Sequence, residues 1–120
     1  MRIAVASQGM EKTSNVDPRF GRASHFLIFD TNDESFEVLS NNQNVNTAQG
    51  AGIQAAEFVA AQNVDIVVAG NFGPKAFGAL GAAGISVALW ADGTVADAIK
   101  LARENKLKIS DKANVEGHWM

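Results

Sequence analysis

The sequence predicts an α/β fold built on one mixed five-stranded sheet, and three observations support it. Short apolar runs rich in Val, Ile and Phe occur at residues 2–7, 25–30, 65–70 and 85–90, with the length and composition of strands. A fifth run, "SFEVLS" (35–40), alternates apolar and polar residues and follows the second across the turn-forming "TNDE". Segments of helical spacing occupy 50–62, 71–84 and 92–105, around the last two strands.

In chain order, "RIAVAS" (2–7) is strand 1, and residues 8–24 form a polar loop with Gly9, Pro18 and Gly21. "HFLIFD" (25–30) is apolar on both faces, so strand 2 needs cover on both sides. Phe36 and Val38 alternate in strand 3, which makes strands 2 and 3 a hairpin. "NNQNVNTAQ" (41–49) is a second polar loop. "GAGIQAAEFVAAQ" (50–62) is then a helix with Ile53, Ala56, Val59 and Ala60 on one face. "DIVVAG" (65–70) reads as a buried parallel strand 4. Pro74 starts the next helix, with Phe77 and Leu80 on one face and glycine at its end. "ISVALW" (85–90) is strand 5. In the last helix Thr94 and Asp97 form a capping pair, and Val95, Ala98, Ile99 and Ala102 follow the i, i+3, i+4, i+7 pattern. Right-handed crossovers set strands 4 and 5 parallel to strand 1, which gives the order 3-2-1-4-5 with strand 2 antiparallel and helices on both faces. That architecture is ribonuclease-H-like. Residues 1–106 are expected to form one domain, with 107–120 an aperiodic tail outside the sheet.

Composition narrows the function classes. The chain of 120 residues is 47% hydrophobic and 19% charged, with a net charge of −3. An acidic balance argues against a general nucleic-acid or membrane-surface binder, because such proteins need a basic surface. There is no cysteine, which excludes disulfides, thiolate catalysis and thiolate ligation of zinc or iron–sulfur clusters. The first apolar run is too short for a signal peptide or a membrane span, so the expected location is cytoplasmic.

The predicted order brings the loops 8–24, 41–50, 71–75 and 91–94 to one rim, at the carboxyl ends of strands 1, 3, 4 and 5. Open α/β sheets bind ligands at such a rim. It should hold Arg19 and Arg22 with Phe20 and Gly21 between them, the Gly50-Ala51-Gly52 helix opening, Asn71, Phe72, Gly73 and Lys75, and also Ser7, Gln8 and Trp90. Cations, helix-terminal amides and aromatic faces together suit a large, soft anion, and carboxylates are scarce there apart from Asp17 and Asp92. Each feature also has a plainer reading. Asp17-Pro18 with Gly21 is ordinary turn chemistry, and Arg19 or Arg22 could pair with Asp17 or Asp30. "GAGIQA" follows a loop rather than a strand, which favours helix capping over dinucleotide binding. Phe72 and Trp90 at strand ends are commonly core edges. His25 reads as a hydrogen-bonded structural residue at the mouth of strand 2. His118 with Met120 is either a soft-metal pair or part of a plain tail.

Together, "RIAVAS", "VDPRFGRASHFLIFD", "GAGIQAAEFV", "DIVVAGNFGPKAFGAL" and "GISVALW" resemble the dinitrogenase iron–molybdenum cofactor biosynthesis family over about residues 1–105. The resemblance implies a ribonuclease-H-like domain that carries or inserts metal–sulfur clusters. Arg19, Phe20, Gly21 and Arg22 match one family motif, and Gly70, Gly73, Pro74 and Lys75 the other. The implied cargo is a molybdenum–copper sulfide cluster or a precursor of the iron–molybdenum cofactor, and the implied partners are other cofactor-assembly or acceptor proteins. Without cysteine, such a cluster must bring its own sulfides and be held by charge, amides and apolar contact. The expected function is therefore binding without turnover. A small-anion or nucleotide sensor at the same rim is the second reading, and a metal-dependent nuclease the third. The nuclease reading meets an obstacle: strand 1 carries no carboxylate, and Asp30 and Asp65 fall at the opposite rim.

Overall fold

The computed structural model describes residues 1–41 and 51–110. Its elements are β1 (Arg2–Ser7), β2 (His25–Asp30), β3 (Phe36–Ser40), α1 (Ala51–Ala60), β4 (Ile66–Ala69), α2 (Pro74–Ala82), β5 (Ser86–Leu89), α3 (Val95–Arg103) and β6 (Ile109–Ser110). All six strands form one sheet in the order β3-β2-β1-β4-β5-β6. β2 is antiparallel to both β1 and β3, while β4 and β5 run parallel to β1.

The sheet has six strands rather than the expected five. Ile109 and Ser110, which sequence reading placed in the tail, pair antiparallel with Ala88 and Val87. Two residues carry no readable period, yet without them β5 would present an unpaired edge, which pairing satisfies. Gly50 and most of the 41–50 loop lie outside the described residues, as do His118 and Met120.

Strand alternation divides the core in two. Ala4, Ala6, Phe26, Ile28, Val67 and Ala69 pack with Ala55, Ala56 and Val59 of α1 and with Ala76 and Leu80 of α2. Ile3, Val5, Leu27, Phe29, Val68 and Ala88 pack with Val95, Ala98, Ile99 and Ala102 of α3. Helices therefore cover both faces, as the doubly apolar β2 and β4 require. One expected core residue is misplaced: Ile53 is 36% exposed. The buried stripe of α1 is instead Gly52, Ala55, Ala56 and Val59. α1 packs against α2, and small residues let the two helices approach closely.

The start of α3 follows its sequence signature. The amide of Asp97 donates to the Thr94 hydroxyl at 3.2 Å, and the amide of Thr94 donates to the Asp97 carboxylate at 3.1 Å. The Thr94 amide and then its hydroxyl stabilise ionised Asp97, holding its pKa below the ordinary aspartate value. Thr94→Ala should destabilise the protein by about 1 kcal/mol, measured by urea unfolding at neutral pH. A carboxyl with a lowered folded pKa stabilises fully above its unfolded pKa and loses that contribution as pH falls through the folded one. The difference between wild type and Thr94→Ala should therefore shrink in acid, once Asp97 is protonated.

Candidate functional site

The loop between β1 and β2 determines the shape of the carboxyl edge of the sheet. Among the described residues, three polar side chains are buried: Ser7, Asp17 and Asn41. All three hold this loop. The Ser7 hydroxyl donates to the Gly9 carbonyl at 2.7 Å and accepts from the Gly9 amide at 3.2 Å. Asp17 Oδ1 accepts from the Arg19 amide at 2.8 Å, and the Asp17 amide donates to the Ala6 carbonyl at 2.8 Å. Asn41 Nδ2 donates to the carbonyls of Ala23 at 2.8 Å and Gly21 at 3.4 Å. Buried polar groups are tolerated when bonded, so each of these contacts fixes the loop as well as stabilising it.

The loop is also fastened to the β4–α2 turn. Asn71 Nδ2 donates to the Pro18 carbonyl at 2.9 Å, the Phe20 amide to the Asn71 carbonyl at 3.2 Å, and Arg19 bridges to Asn71 in parallel. Gly70 makes this approach possible: a Cβ there would lie 2.9 Å from Pro18 Cα and 3.0 Å from its carbonyl oxygen. On the opposite flank, the Val16 amide donates to the Gly93 carbonyl at 3.0 Å. The amides of Val95 and Ala96, in the first turn of α3, donate to the carbonyls of Ser14 and Lys12, each at 2.9 Å. None of this stitching leaves a local sequence signal beyond the glycine. Asn41 sits at the head of an asparagine-rich run, and its anchoring role is not distinguishable there.

The structure brings some of the predicted rim residues together and separates others. Arg19 is exposed and Arg22 half-buried, one on each side of buried Gly21 and Phe20. Lys75 is exposed in the first turn of α2, whose N-cap, Gly73, has no side chain to cap the helix. Among the described residues, neither Arg19 nor Lys75 enters an ion pair. Asp17 is committed to the loop backbone, and Asp30 lies 3.9 Å from Arg2 at the far end of the sheet. Gly52 is buried in the first turn of α1. The three aromatic residues expected at the rim are divided between the two faces. Phe20 and Phe72 are fully buried and stacked, with centroids 4.9 Å apart, in the core beneath α1 and α2. Trp90 is half-buried against the α3-side core. His25 is the expected structural histidine, with Nδ1 3.0 Å from the Ser24 hydroxyl.

The rim thus has two chemically different flanks. Toward α3, a cleft of about 400 Å³ is lined by Gln8, Asn15, Val16, Pro18, Ala91, Asp92 and Gly93, without a cation. Toward α2 lie Arg19, Asn71 and Lys75 around the uncapped helix start. Among the described residues, no three His, Cys, Asp or Glu side chains cluster to hold a metal ion. No helix among them is long and apolar enough to cross a membrane.

The fold and site define an α/β domain on a single mixed sheet, with the β1–β2, β4–α2 and β5–α3 connections fastened together at its carboxyl edge. The chain belongs to the dinitrogenase iron–molybdenum cofactor family, whose family model matches residues 1–105. Its fold closely resembles the apo form of the orange protein from Desulfovibrio gigas, at 36% identity and a TM-score of 0.92, covering 95% of this chain and 96% of that one. A putative NifB protein from Thermotoga is 34% identical with a TM-score of 0.83, covering 97% and 98% of the two chains. An uncharacterized protein of Methanocaldococcus jannaschii is 30% identical over 99 residues, which is 79% of this chain and 82% of that one.

Asn41→Ala should remove the side-chain donor from two carbonyls of buried residues. It should cost about 1–3 kcal/mol in urea unfolding. Hydrogen exchange should quicken at the Phe20 and Ala23 amides while β4 and β5 keep their protection.

Proposed function

We propose that this protein is a non-covalent carrier for an anionic metal–sulfur cluster, held on the α2 flank of the carboxyl edge. The observation that carries the reading is the fastening of the Arg19 loop to the Asn71 turn. It sets the cationic loop beside Lys75 and the uncapped start of α2. An anion there gains from the helix dipole as well as from the cations. The absence of cysteine from the whole chain supports a cargo that brings its own sulfides and is gripped from outside. Phe20 and Phe72 then act from beneath, by fixing the loops that carry the polar groups. Membership of a family described by the iron–molybdenum cofactor, and likeness to the orange protein, favour a molybdenum–copper sulfide anion as cargo. A precursor of the iron–molybdenum cofactor is the second candidate.

The reading is binding without turnover. A nuclease reading, suggested by the ribonuclease-H-like strand order, has little support. Asp30 and Asp65 gather around Arg2 at the opposite end of the sheet, with Asp65 accepting from the Arg2 amide at 2.8 Å.

The test is titration of apo protein with tetrathiomolybdate and copper, followed by visible absorption. Arg19→Ala combined with Arg22→Ala should weaken retention tenfold or more, about 1.4 kcal/mol or above, and leave the melting temperature nearly unchanged. Wild-type affinity should fall with added salt, because exposed charges are screened. Equal retention by the double variant in raised salt would overturn the charge argument.

A further inference from the structure

The two edges of the sheet are guarded unequally. At one edge, β6 is only two residues long, and very short edge strands resist pairing with another chain. At the other edge, β3 is five residues long and pairs in unbroken register with β2, from Phe36 against Phe29 to Ser40 against His25. It carries no bulge, no proline and no lysine, the devices that keep exposed edges apart. Its one charged side chain, Glu37, is turned toward Arg2 of the same sheet, 3.8 Å away. Val38, at the centre of the strand, is 39% exposed.

The hydrogen bonds flanking this hairpin show which backbone groups face outward. The Asn41 amide donates to the Ser24 carbonyl at 2.9 Å, and the Asp30 amide donates to the Ser35 carbonyl at 3.0 Å. Bonded pairs alternate along an antiparallel ladder, so Leu39 and Glu37 turn their backbone toward β2. Phe36 and Val38 turn theirs away from it. Among the described residues, no strand pairs with that outer side.

We infer that β3 pairs with β3 of a second copy of this chain, antiparallel about a two-fold axis at Val38. The strand is self-complementary about that point. Val38 faces Val38 of the second copy, and the two exchange both backbone N–H···O=C bonds. Glu37 falls opposite Leu39 of the second copy and Phe36 opposite Ser40, so no like charges meet directly. Moving the axis to Glu37 would set two carboxylates face to face. The two Val38 side chains meet on the α3 face of the sheet, the side of their β2 neighbour Leu27, and β-branched pairs across strands are favourable. Two five-residue strands make a small contact, so the association is weak and reversible. Antiparallel pairing points the two carboxyl edges in opposite directions and leaves both Arg19 loops open. The inference is therefore independent of the carrier reading.

The experiment is sedimentation velocity of the full chain from micromolar to millimolar concentration, with amide hydrogen exchange at both ends of that range. The expected result is a reversible monomer–dimer equilibrium. At high concentration the Phe36 and Val38 amides should exchange several-fold more slowly, while other amides keep their rates. Val38→Lys sets like charges opposite each other and should weaken association tenfold or more. Val38→Pro removes only an outward N–H, which an edge strand tolerates, and should weaken association as well while the β2–β3 ladder stays protected. The inference is overturned if the chain stays monomeric throughout, if slowed exchange maps outside β3, or if the folded variants dimerise as wild type does. Should both variants melt early, the wild-type exchange map alone decides. Titration of Val38→Lys with tetrathiomolybdate and copper separates this result from the carrier reading: it should retain the cluster as wild type does.

Discussion

The close approach of the Asp17-Pro18 backbone to Gly70 is the constraint on which the carboxyl edge depends. The Gly70 amide faces the Asp17 carbonyl at 3.5 Å, and no side chain fits between Gly70 and Pro18. From that contact the Asn71 bonds to Pro18 and Phe20 follow, and from those the stacking of Phe20 on Phe72. The arginine loop is therefore not a flap lying on the sheet. It is anchored by a buried aromatic pair and by backbone bonds to a second loop. Rigid placement of this kind lets exposed cations act together, because less side-chain and loop entropy is lost when a ligand arrives.

The two ends of the sheet treat charge differently. At the amino end, Arg2 lies near Asp30 and Glu37, its Nε donates to the Gln62 carbonyl at 3.0 Å, and its amide meets Asp65. That cation is consumed by the fold. At the carboxyl end the nearest buried acid, Asp17, spends its carboxylate on backbone, so it does not neutralise Arg19. The same loop is held internally by Ser7, Asp17 and Asn41 while its Arg19 is exposed.

Much of this was legible in the sequence. Doubly apolar runs, the hairpin and the capping pair at Thr94 and Asp97 each carry a local signal, so strand order and helix placement followed from them. The sixth strand was hidden because two residues have no period. Ile53 was misread because the packing stripe of α1 is made of alanine and glycine, which hydrophobicity patterns underweight. At the site, the residue types were readable but their arrangement was not. Phe20, Phe72 and Trp90 were all expected at one rim, yet the sheet sends Trp90 to one face and the phenylalanine pair to the other. The anchoring by Asn41 depends on contacts about twenty residues apart, which no local pattern encodes.

The division of the rim into two flanks bears on how a cluster would be gripped and released. A cleft lined by Gln8, Asn15 and Asp92 offers a carboxylate, which repels a sulfide-rich anion, beside two side-chain amides that both donate and accept. The flank with Arg19, Asn71 and Lys75 offers N–H donors and positive charge instead. On the carrier reading, cargo sits on the second flank and is bounded by the first. Because no thiolate bonds to the metal, release requires only loss of charge pairing and hydrogen bonds, with no ligand exchange at the cluster. An acceptor that competes for the same sulfides, or screens the same cations, would be sufficient to take it.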